Sequence, residues 1–312
     1  MKKKYVICTF VDSFEFPLRE ALRKQVWWRA KEKQKDYEVE IIVYNHNTTK
    51  SIVKDDIKIS FINKNEISQY KIVADYIDYI TTIVELRSIF ALKAKGYKTL
   101  TLCDGYPLGE NKILLRKVII QLLPYIFKKI YVFSNYQKKV LNLEQIELIK
   151  PLLPTIIKKN IEKYKEPTLL YMGHLSYFKG VDTLIEAYKI LKNDIGNLNL
   201  IIANNMVRGD KKLLEEVQNL QQQFPENVSI KGVIDPIEEL SKAWIYIYPF
   251  IKPGGTMSFA LSLYESQQCN TPFIACDIGA NAEFFGKTSL IKPHSIENMV
   301  QKVKEIMKNE YE

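Results

Sequence analysis

The most informative part of this chain is residues 171–187, which read Tyr171-Met-Gly-His-Leu-Ser-Tyr-Phe-Lys-Gly-Val-Asp-Thr-Leu-Ile-Glu-Ala187. An apolar, β-like run ends at Gly173, where a residue without a side chain lets the backbone approach a ligand closely. Lys179 follows, just before a helical pattern that Gly180 opens. A cation beside a helix N-terminus is a favourable place for a phosphate group, so this stretch predicts a strand, a ligand-binding loop and a helix.

The same alternation of strand and helix signals runs along the whole chain. In the first half, strand patterns cover 5–11, 39–44, 99–103 and 130–134, and helical patterns cover 18–35, 72–94 and 113–129. In the second half, strand patterns cover 168–172, 198–203, 228–231, 244–248 and 272–276, and helical patterns cover 181–192, 211–224, 237–242, 258–268 and 295–308. Such alternation is typical of parallel sheets built from βαβ units.

A stretch rich in Pro and Lys, 150–167, separates the two halves and lacks a regular period. We therefore predict two Rossmann-like domains of the α/β class, at 1–155 and 168–295, joined by a linker at 156–167. A final helix, 296–312, is expected to fold back towards the first domain.

Charge is distributed unevenly over the 312 residues, whose net charge is +9. Residues 1–150 hold 27 Lys and Arg against 17 Asp and Glu, whereas residues 151–312 hold 18 against 19. A basic half favours an anionic partner, either lipid headgroups or nucleic acid. No nucleic-acid-binding motif accompanies the charge, so we expect an anionic membrane surface as the partner and no nucleic acid.

Two basic helical patterns in the first half suit such a surface. The pattern 18–31 carries Trp27 and Trp28, which could lie at a lipid interface, and the pattern 113–129 mixes Arg and Lys with Leu, Ile and Phe. The alternative for both is an ordinary core helix with a solvated face.

The remaining features of the sequence favour a cytoplasmic protein, with peripheral attachment at the inner face of the membrane left open. Residues 1–10 have a basic start and an apolar run that stops at Asp12, which predicts a first strand rather than a signal peptide. No uncharged stretch approaches the ~20 residues of a membrane helix. The cysteines lack metal-ligand spacing and are predicted to be buried, reduced thiols: Cys8, Cys103, Cys269 and Cys276.

Four ordered blocks, 171–187, 228–234, 246–250 and 254–279, resemble the donor-binding domain of a retaining, family-4-like glycosyltransferase (glycosyl transferases group 1). The resemblance implies the GT-B fold, in which two Rossmann-like, doubly wound domains face a central cleft. It also implies transfer of a sugar from a UDP- or GDP-linked donor to a glycan or lipid-linked acceptor, with retention of the anomeric configuration. Neither a cofactor nor a metal is expected, since no Asp-x-Asp pair stands at a strand end.

The resemblance assigns the donor-binding residues. Lys179 corresponds to the lysine that pairs with the donor diphosphate, and His174 stands where the family usually has Arg. An imidazole offers fewer hydrogen bonds than a guanidinium, so either leaving-group stabilisation at His174 is weaker or another base in the cleft compensates. A structural histidine is the alternative for His174. The further donor-binding positions are Gly173, Gly232, Val233, Gly254, Gly255, Thr256, Met257, Ser258 and Glu265.

Three of these assignments are open to another interpretation. Glu265, predicted to lie two helical turns beyond Ser258, corresponds to the ribose-binding Glu of the family, with an exposed helix Glu as the alternative. Met257 occupies the position of the family's first Glu and cannot hydrogen-bond a sugar. Asp104, after the strand at 99–103, is the nearest candidate for a catalytic group in the first domain, and a turn Asp before Gly is its alternative.

The departures at His174 and Met257 keep two other functions open. One is a catalytically inactive GT-B subunit that binds the donor and supports a partner. The other is a nucleotide-sugar epimerase of the same architecture.

Overall fold

The structure is a computed structural model that describes residues 2–11, 14–18, 20–63, 65–82, 93–107, 113–153, 161–204, 209–254 and 257–311. The chain forms two compact units. The first comprises Met1–Pro154 and Gly254–Phe259, and the second comprises Thr155–Pro253 and Ala260–Glu312. The hexapeptide 254–259, which the sequence places in the domain 168–295, thus belongs to the first unit.

The first unit is built on an 8-stranded sheet with the order β3-β4-β2-β1-β5-β6-β7-β8. The strands are β1 (Lys4–Phe10), β2 (Glu38–His46), β3 (Lys50–Lys54), β4 (Ile57–Asn63), β5 (Lys71–Thr81), β6 (Lys93–Leu102), β7 (Lys129–Val132) and β8 (Ile146–Leu148). The helices are α1 (Ala21–Lys33), α2 (Ile113–Ile126) and α3 (Asn135–Leu141). Neighbouring strands are parallel except β3 and β4, which form an antiparallel hairpin at the edge.

The predicted helix at 72–94 is wrong where the structure describes it. Residues 71–81 form β5, and 93–94 begin β6; residues 83–92 lie outside the described part. β5 pairs with β1 on one side and with β6 on the other, and Ile77, Tyr79 and Ile80 are buried. Residues 77–81 of β5 are all buried, and a segment covered on both faces shows no alternation, so its apolar spacing also fitted a helix.

The second unit is a doubly wound, entirely parallel 6-stranded sheet with the order β11-β10-β9-β12-β13-β14. Its strands are β9 (Thr168–Met172), β10 (Asn199–Ala203), β11 (Val228–Lys231), β12 (Ile245–Tyr248), β13 (Phe273–Cys276) and β14 (Leu290–Ile291). Its helices are α4 (Val181–Asp194), α5 (Lys211–Gln223), α6 (Pro236–Lys242), α7 (Leu261–Gln268), α8 (Asn281–Phe285) and α9 (Ile296–Tyr311). The predicted α/β class is confirmed.

The segments on either side of the predicted second domain both pack on the second unit. In the predicted linker, 156–160 lie outside the described residues. The Tyr164 N–H donates to Lys242 O at 2.9 Å, and the Trp244 indole donates to Tyr164 O at 2.7 Å. The last helix, α9, packs against α4 and buries Met299 and Val303 in the core of this unit. α9 belongs to the second unit, and its approach to the first domain stays a prediction.

Candidate active site

The sheet of the second unit has a switch point between β9 and β12. From β9 the chain continues outward to β10 on one side, and it returns to form β12 on the other side. Loops leaving the carboxyl ends of such neighbouring strands run in opposite directions and open a crevice where α/β proteins bind ligands. Gly173 follows β9 directly, and Pro249 follows β12, so both loops start at this point.

Contacts between backbone groups hold these two loops together. Gly180 has φ +67°, and a Cβ atom there would lie 2.0 Å from the Pro249 carbonyl oxygen. The Ile251 N–H donates to Phe178 O at 3.0 Å. At the start of the loop, the Tyr171 hydroxyl donates to His174 O at 2.8 Å. Only glycine fits at position 180, because of both its left-handed backbone and the space that Pro249 occupies.

Lys179 lies inside this arrangement, with only 7% of its surface exposed. Its Nζ atom is 3.6 Å from the centroid of the Phe250 ring and 5.0 Å from that of Phe178. Aromatic faces attract cations, and this attraction is larger where water is excluded. Lys179 is therefore a fixed positive charge at the switch point rather than a solvated surface lysine.

The helix that follows adds a second favourable feature for an anion. α4 begins at Val181, directly after Gly180, and buries Leu184, Tyr188 and Leu191 on its inner face. Its first N–H groups point back to the loop, and the N-terminal end of a helix carries partial positive charge. Together with Lys179, this end of α4 could bind a phosphate or diphosphate group.

The other residues predicted in the second unit lie around the same edge of the sheet. Gly173 and His174 are half-buried in the loop after β9. Gly232 and Val233 follow β11 and are exposed, with Val233 at 55%. The structure thus brings Gly173, His174 and Lys179 together in one loop, and it leaves Gly232 and Val233 accessible at the end of an edge strand.

Glu265 is placed differently from the prediction. The predicted helix 258–268 begins only at Leu261, so Ser258 lies outside it and does not share a helix face with Glu265. Glu265 is 7% exposed, which excludes the exposed-helix alternative. Burial raises the pKa of the neighbouring Tyr246, and the Glu265 carboxylate adds to that rise. Among the described residues, no side chain caps the N-terminus of α7, whose N-cap is Ala260.

The first unit brings together four other predicted residues. Asp104 and Met257 form an isolated antiparallel bridge, and the Ser258 N–H donates to Cys103 O at 3.0 Å. Gly254 lies close by, since a Cβ atom on it would be 3.9 Å from the Tyr106 Cβ. Asp104 is buried and its Oδ1 accepts the Tyr106 N–H at 2.7 Å, so the carboxylate stabilises a turn. Gly255 and Thr256 lie outside the described residues.

Gln137 organises this cluster, although it was not predicted from the sequence as a site residue. Its Nε2 donates to Leu102 O at 2.8 Å and to Asp104 O at 2.9 Å, while its Oε1 accepts the Ser258 hydroxyl at 2.8 Å. Gln137 also completes a capping box with Ser134 at the start of α3. The spacing Ser-x-x-Gln is visible in the sequence and could have located the start of this helix.

The described ranges contain neither a metal cluster nor a membrane-spanning helix. Over these ranges, no group of three or more His, Cys, Asp or Glu side chains is placed to hold a metal ion. Within the same ranges, no helix combines the length and the apolar character needed to cross a bilayer. All four cysteines are thiols, and burial raises the pKa of Cys276 to about 12.

A family model, described as glycosyl transferases group 1, matches residues 154–312, which cover the switch-point loops, α4 and α7. The chain belongs to this family. This chain is also similar to the 2-deoxystreptamine N-acetyl-D-glucosaminyltransferase of Niallia circulans, to which it is 26% identical over 163 residues. That match covers 50% of this chain and 40% of the relative, so the chain spans less than half of the relative's length in the alignment.

Solved structures show the same fold over nearly the whole chain. A mutant of S. aureus TarM in complex with fondaparinux, alpha-GlcNAc-glycerol and UDP has a TM-score of 0.74 at 14% identity, covering 99% of this chain and 93% of TarM. Anabaena HepE in complex with UDP and glucose has a TM-score of 0.71 at 14% identity, covering 97% and 90%. The fold is therefore GT-B, as the resemblance of the four blocks implied.

Proposed function

We propose that this protein transfers a sugar from a nucleotide-sugar donor to a glycan or lipid-linked acceptor, with retention of the anomeric configuration. The observation that carries the proposal is Lys179, buried at the switch point and held over the Phe250 ring. A UDP-linked donor is favoured over a GDP-linked one because the TarM and HepE structures contain UDP. No metal or other cofactor is needed in this proposal, since Lys179 and α4 supply the positive charge.

The proposed chemistry follows from where negative charge develops. When the bond between the anomeric carbon and the diphosphate oxygen breaks, the electron pair stays with the nucleoside diphosphate. A fixed cation and oriented N–H groups stabilise that charge without reorganising at the moment of reaction. We assign this role to Lys179 and to the start of α4, with His174 as a further hydrogen-bond donor to the leaving group.

The remaining donor contacts are proposed from the resemblance. Glu265 would accept the ribose hydroxyls, because a carboxylate can accept two O–H donors. Gly232 and Val233 would receive the nucleobase through their backbone, and Gly173 would lie beside the donor in the loop after β9. The resemblance also assigns Gly254, Gly255, Thr256, Met257 and Ser258 to the donor and Asp104 to the reacting sugar.

The basic first unit suits an acceptor or a surface that carries negative charge. Its 27 Lys and Arg within residues 1–150 outnumber 17 Asp and Glu. We propose a lipid-linked or glycan acceptor for this unit and a peripheral position at the cytoplasmic face of a membrane.

Donor turnover and nucleotide binding test the proposal together. The purified chain is incubated with UDP- and GDP-sugars, with and without membrane extract, and the release of nucleoside diphosphate is measured. Calorimetry with UDP, GDP and uridine is run in parallel. We expect UDP to bind and UDP-sugar to turn over with acceptor, giving a product whose anomeric configuration, read by NMR coupling constants, matches the donor.

The other outcomes are distinct. Binding of UDP without turnover under every acceptor supports the inactive subunit, for which Met257 in place of Glu is the motivating residue. Conversion of the donor to an epimer without release of nucleotide supports the epimerase. Failure to bind any nucleoside diphosphate overturns the assignment of the site.

A further inference from the structure

Helix α2 carries an exposed apolar stripe on the first unit. Val118, Leu122 and Tyr125 are spaced like neighbours on one face of a helix and are 57%, 47% and 87% exposed. The opposite face of α2 is buried, with Ile120 and Leu123 in the core of the sheet. The two faces differ clearly, since Ile120 and Leu123 are at most 1% exposed whereas the three residues of the stripe are at least 47% exposed.

The charged residues of the segment that carries this stripe all have the same sign. Between Ile113 and Lys129 the sequence contains Arg116, Lys117, Lys128 and Lys129 and contains neither Asp nor Glu. Lys117 and Lys128 are exposed. The Lys128 N–H donates to Lys98 O at 3.0 Å, so the chain after α2 lies beside the middle of β6.

One lysine of this group is already neutralised. The Lys129 ammonium lies 2.9 Å from the Glu147 carboxylate on β8. The exposed charge at this end therefore comes from Lys128, and Lys117 lies in the preceding part of α2.

The other basic helix does not offer such a face. Every residue of α1 is buried or half-buried. Trp27, expected at a lipid interface, instead packs edge-on against Phe16 with ring centroids 4.8 Å apart. Arg29 faces the buried Asp78 at 4.0 Å. The structure therefore separates two helices that looked alike in the sequence.

We propose that Val118, Leu122 and Tyr125 of α2 insert into the headgroup region of an anionic bilayer, with Lys117 and Lys128 against the lipid phosphates. The apolar stripe gains by leaving water, and the lysines gain from the negative surface potential. A second copy of this chain is the weaker fit, because two such faces would bring like charges together. The proposal deepens the proposed function, since it gives the lipid-linked acceptor a surface, but docking does not require transfer.

Vesicle co-sedimentation with the full chain tests the proposal. The vesicles are phosphatidylcholine alone or phosphatidylcholine with phosphatidylserine, at low and at physiological salt. The test variant is Val118→Ser/Leu122→Ser/Tyr125→Ser, and a second variant is Lys117→Glu/Lys128→Glu. The matched control is Val53→Ser, which removes another exposed apolar side chain, 71% exposed, that also lies between lysines.

We expect the wild-type chain and Val53→Ser to bind vesicles that contain phosphatidylserine. Both should bind vesicles of phosphatidylcholine alone much more weakly. The triple variant is expected to bind at least tenfold more weakly, and the charge variant to lose the preference for phosphatidylserine. Circular dichroism and thermal melting verify that each variant is folded. If a variant unfolds, the single change Tyr125→Ser, at the most exposed of the three positions, provides the same comparison.

Equal vesicle binding of the folded triple variant and the wild type overturns the proposal. A second outcome also overturns it. If light scattering shows a dimer for the wild type and a monomer for the triple variant, and neither protein binds vesicles, the partner of α2 is a second copy of the chain. UDP binding, measured on the same samples, is expected to be unchanged by the α2 substitutions. If UDP does not bind at all, the donor site is wrong, whereas the vesicle result still decides the role of α2.

Discussion

The Ser258 hydroxyl donates to Gln137 Oε1 at 2.8 Å, although the two residues are 121 positions apart in the chain. Both side chains are buried. The same amide of Gln137 also donates to the carbonyls of Leu102 and Asp104. One side chain thus joins the end of β6, the start of α3 and the hexapeptide 254–259.

Gln137→Leu is expected to destabilise the protein more than Ser258→Ala. The leucine leaves the buried carbonyls of Leu102 and Asp104 without this donor, and each such loss costs about 1–3 kcal/mol. Ser258→Ala removes a single hydrogen bond, worth about 1 kcal/mol, while the Phe133 N–H still donates to Gln137 Oε1. Urea unfolding gives the free energy of unfolding of both variants. If both lose the same amount relative to the wild type, Gln137 does not organise the cluster.

Lys179→Ala and Glu265→Ala are expected to affect nucleotide binding differently. Loss of Lys179 should weaken the binding of UDP about tenfold or more, in a salt-dependent manner. It should leave the binding of uridine unchanged, because only the diphosphate meets this charge. Loss of Glu265 should weaken the binding of uridine and of UDP to the same extent. Calorimetry measures both, and Lys189→Ala, on the exposed part of α4 where Lys189 pairs with Glu186, is the control. Wild-type binding by both variants would contradict the site.

Gly180→Ala is expected to disrupt the contact between the two switch-point loops. The new Cβ would meet the Pro249 carbonyl, and the left-handed backbone adds strain. We expect a lower Tm and weaker UDP binding. Gly196→Ala is the matched control, because no atom lies within 4 Å of the position of its Cβ. If both variants have the same Tm as the wild type, the two loops are not in contact in solution.

Glu40→Gln is expected to remove stability at neutral pH but not in acid. Burial alone would raise the pKa of Glu40, yet hydrogen bonds from Lys4, at 2.8 Å, and from Ser60 outweigh it and hold the pKa below its ordinary value of 4.5. A carboxylate with a lowered pKa stabilises the fold above pH 4.5, and this contribution is lost as the pH falls through the lowered value.

The Tm of Glu40→Gln should therefore lie below that of the wild type at pH 7, and the gap should narrow below pH 4.5. The difference between variant and wild type is the useful quantity. Burial raises the pKa of Asp78, whose contribution changes with pH in the opposite sense and cancels in the difference. Glu186→Gln, in an exposed ion pair, is the control. If the difference in Tm between Glu40→Gln and the wild type does not change with pH, the pKa of Glu40 is not lowered in the folded protein.

The second unit was predictable because its strands are short, apolar and separated by amphipathic helices. Strands β9 and β11 match their predicted bounds, and α4 has the expected inner face. The failure at β5 has a physical cause in Asp78. This buried carboxylate interrupts the apolar run, and its partners are distant in sequence. Arg29 lies 4.0 Å from it, and Thr99 and Thr101, more than 20 residues away, donate to it at 3.1 Å. No local pattern contains those partners.

The hairpin of β3 and β4 was missed for another reason. Its turn consists of Asp55 and Asp56, both with positive φ, where the usual signal is Asn-Gly or Asp-Gly. The position of Ser258 was missed because the loop that carries it folds on the first unit. Its partner Gln137 comes from a distant part of the chain, and spacing within a helix could not reveal that contact.

The contact of Gly180 with Pro249 also bears on how quickly a ligand can bind. Since the Phe178 and Ile251 backbones are already hydrogen-bonded, the loop that carries Lys179 is ordered when the protein folds. A ligand that meets this loop does not have to organise it, so the entropic cost of ordering is not subtracted from its affinity. Association at this loop should then be limited by diffusion and electrostatic attraction, and its rate should fall as salt is added.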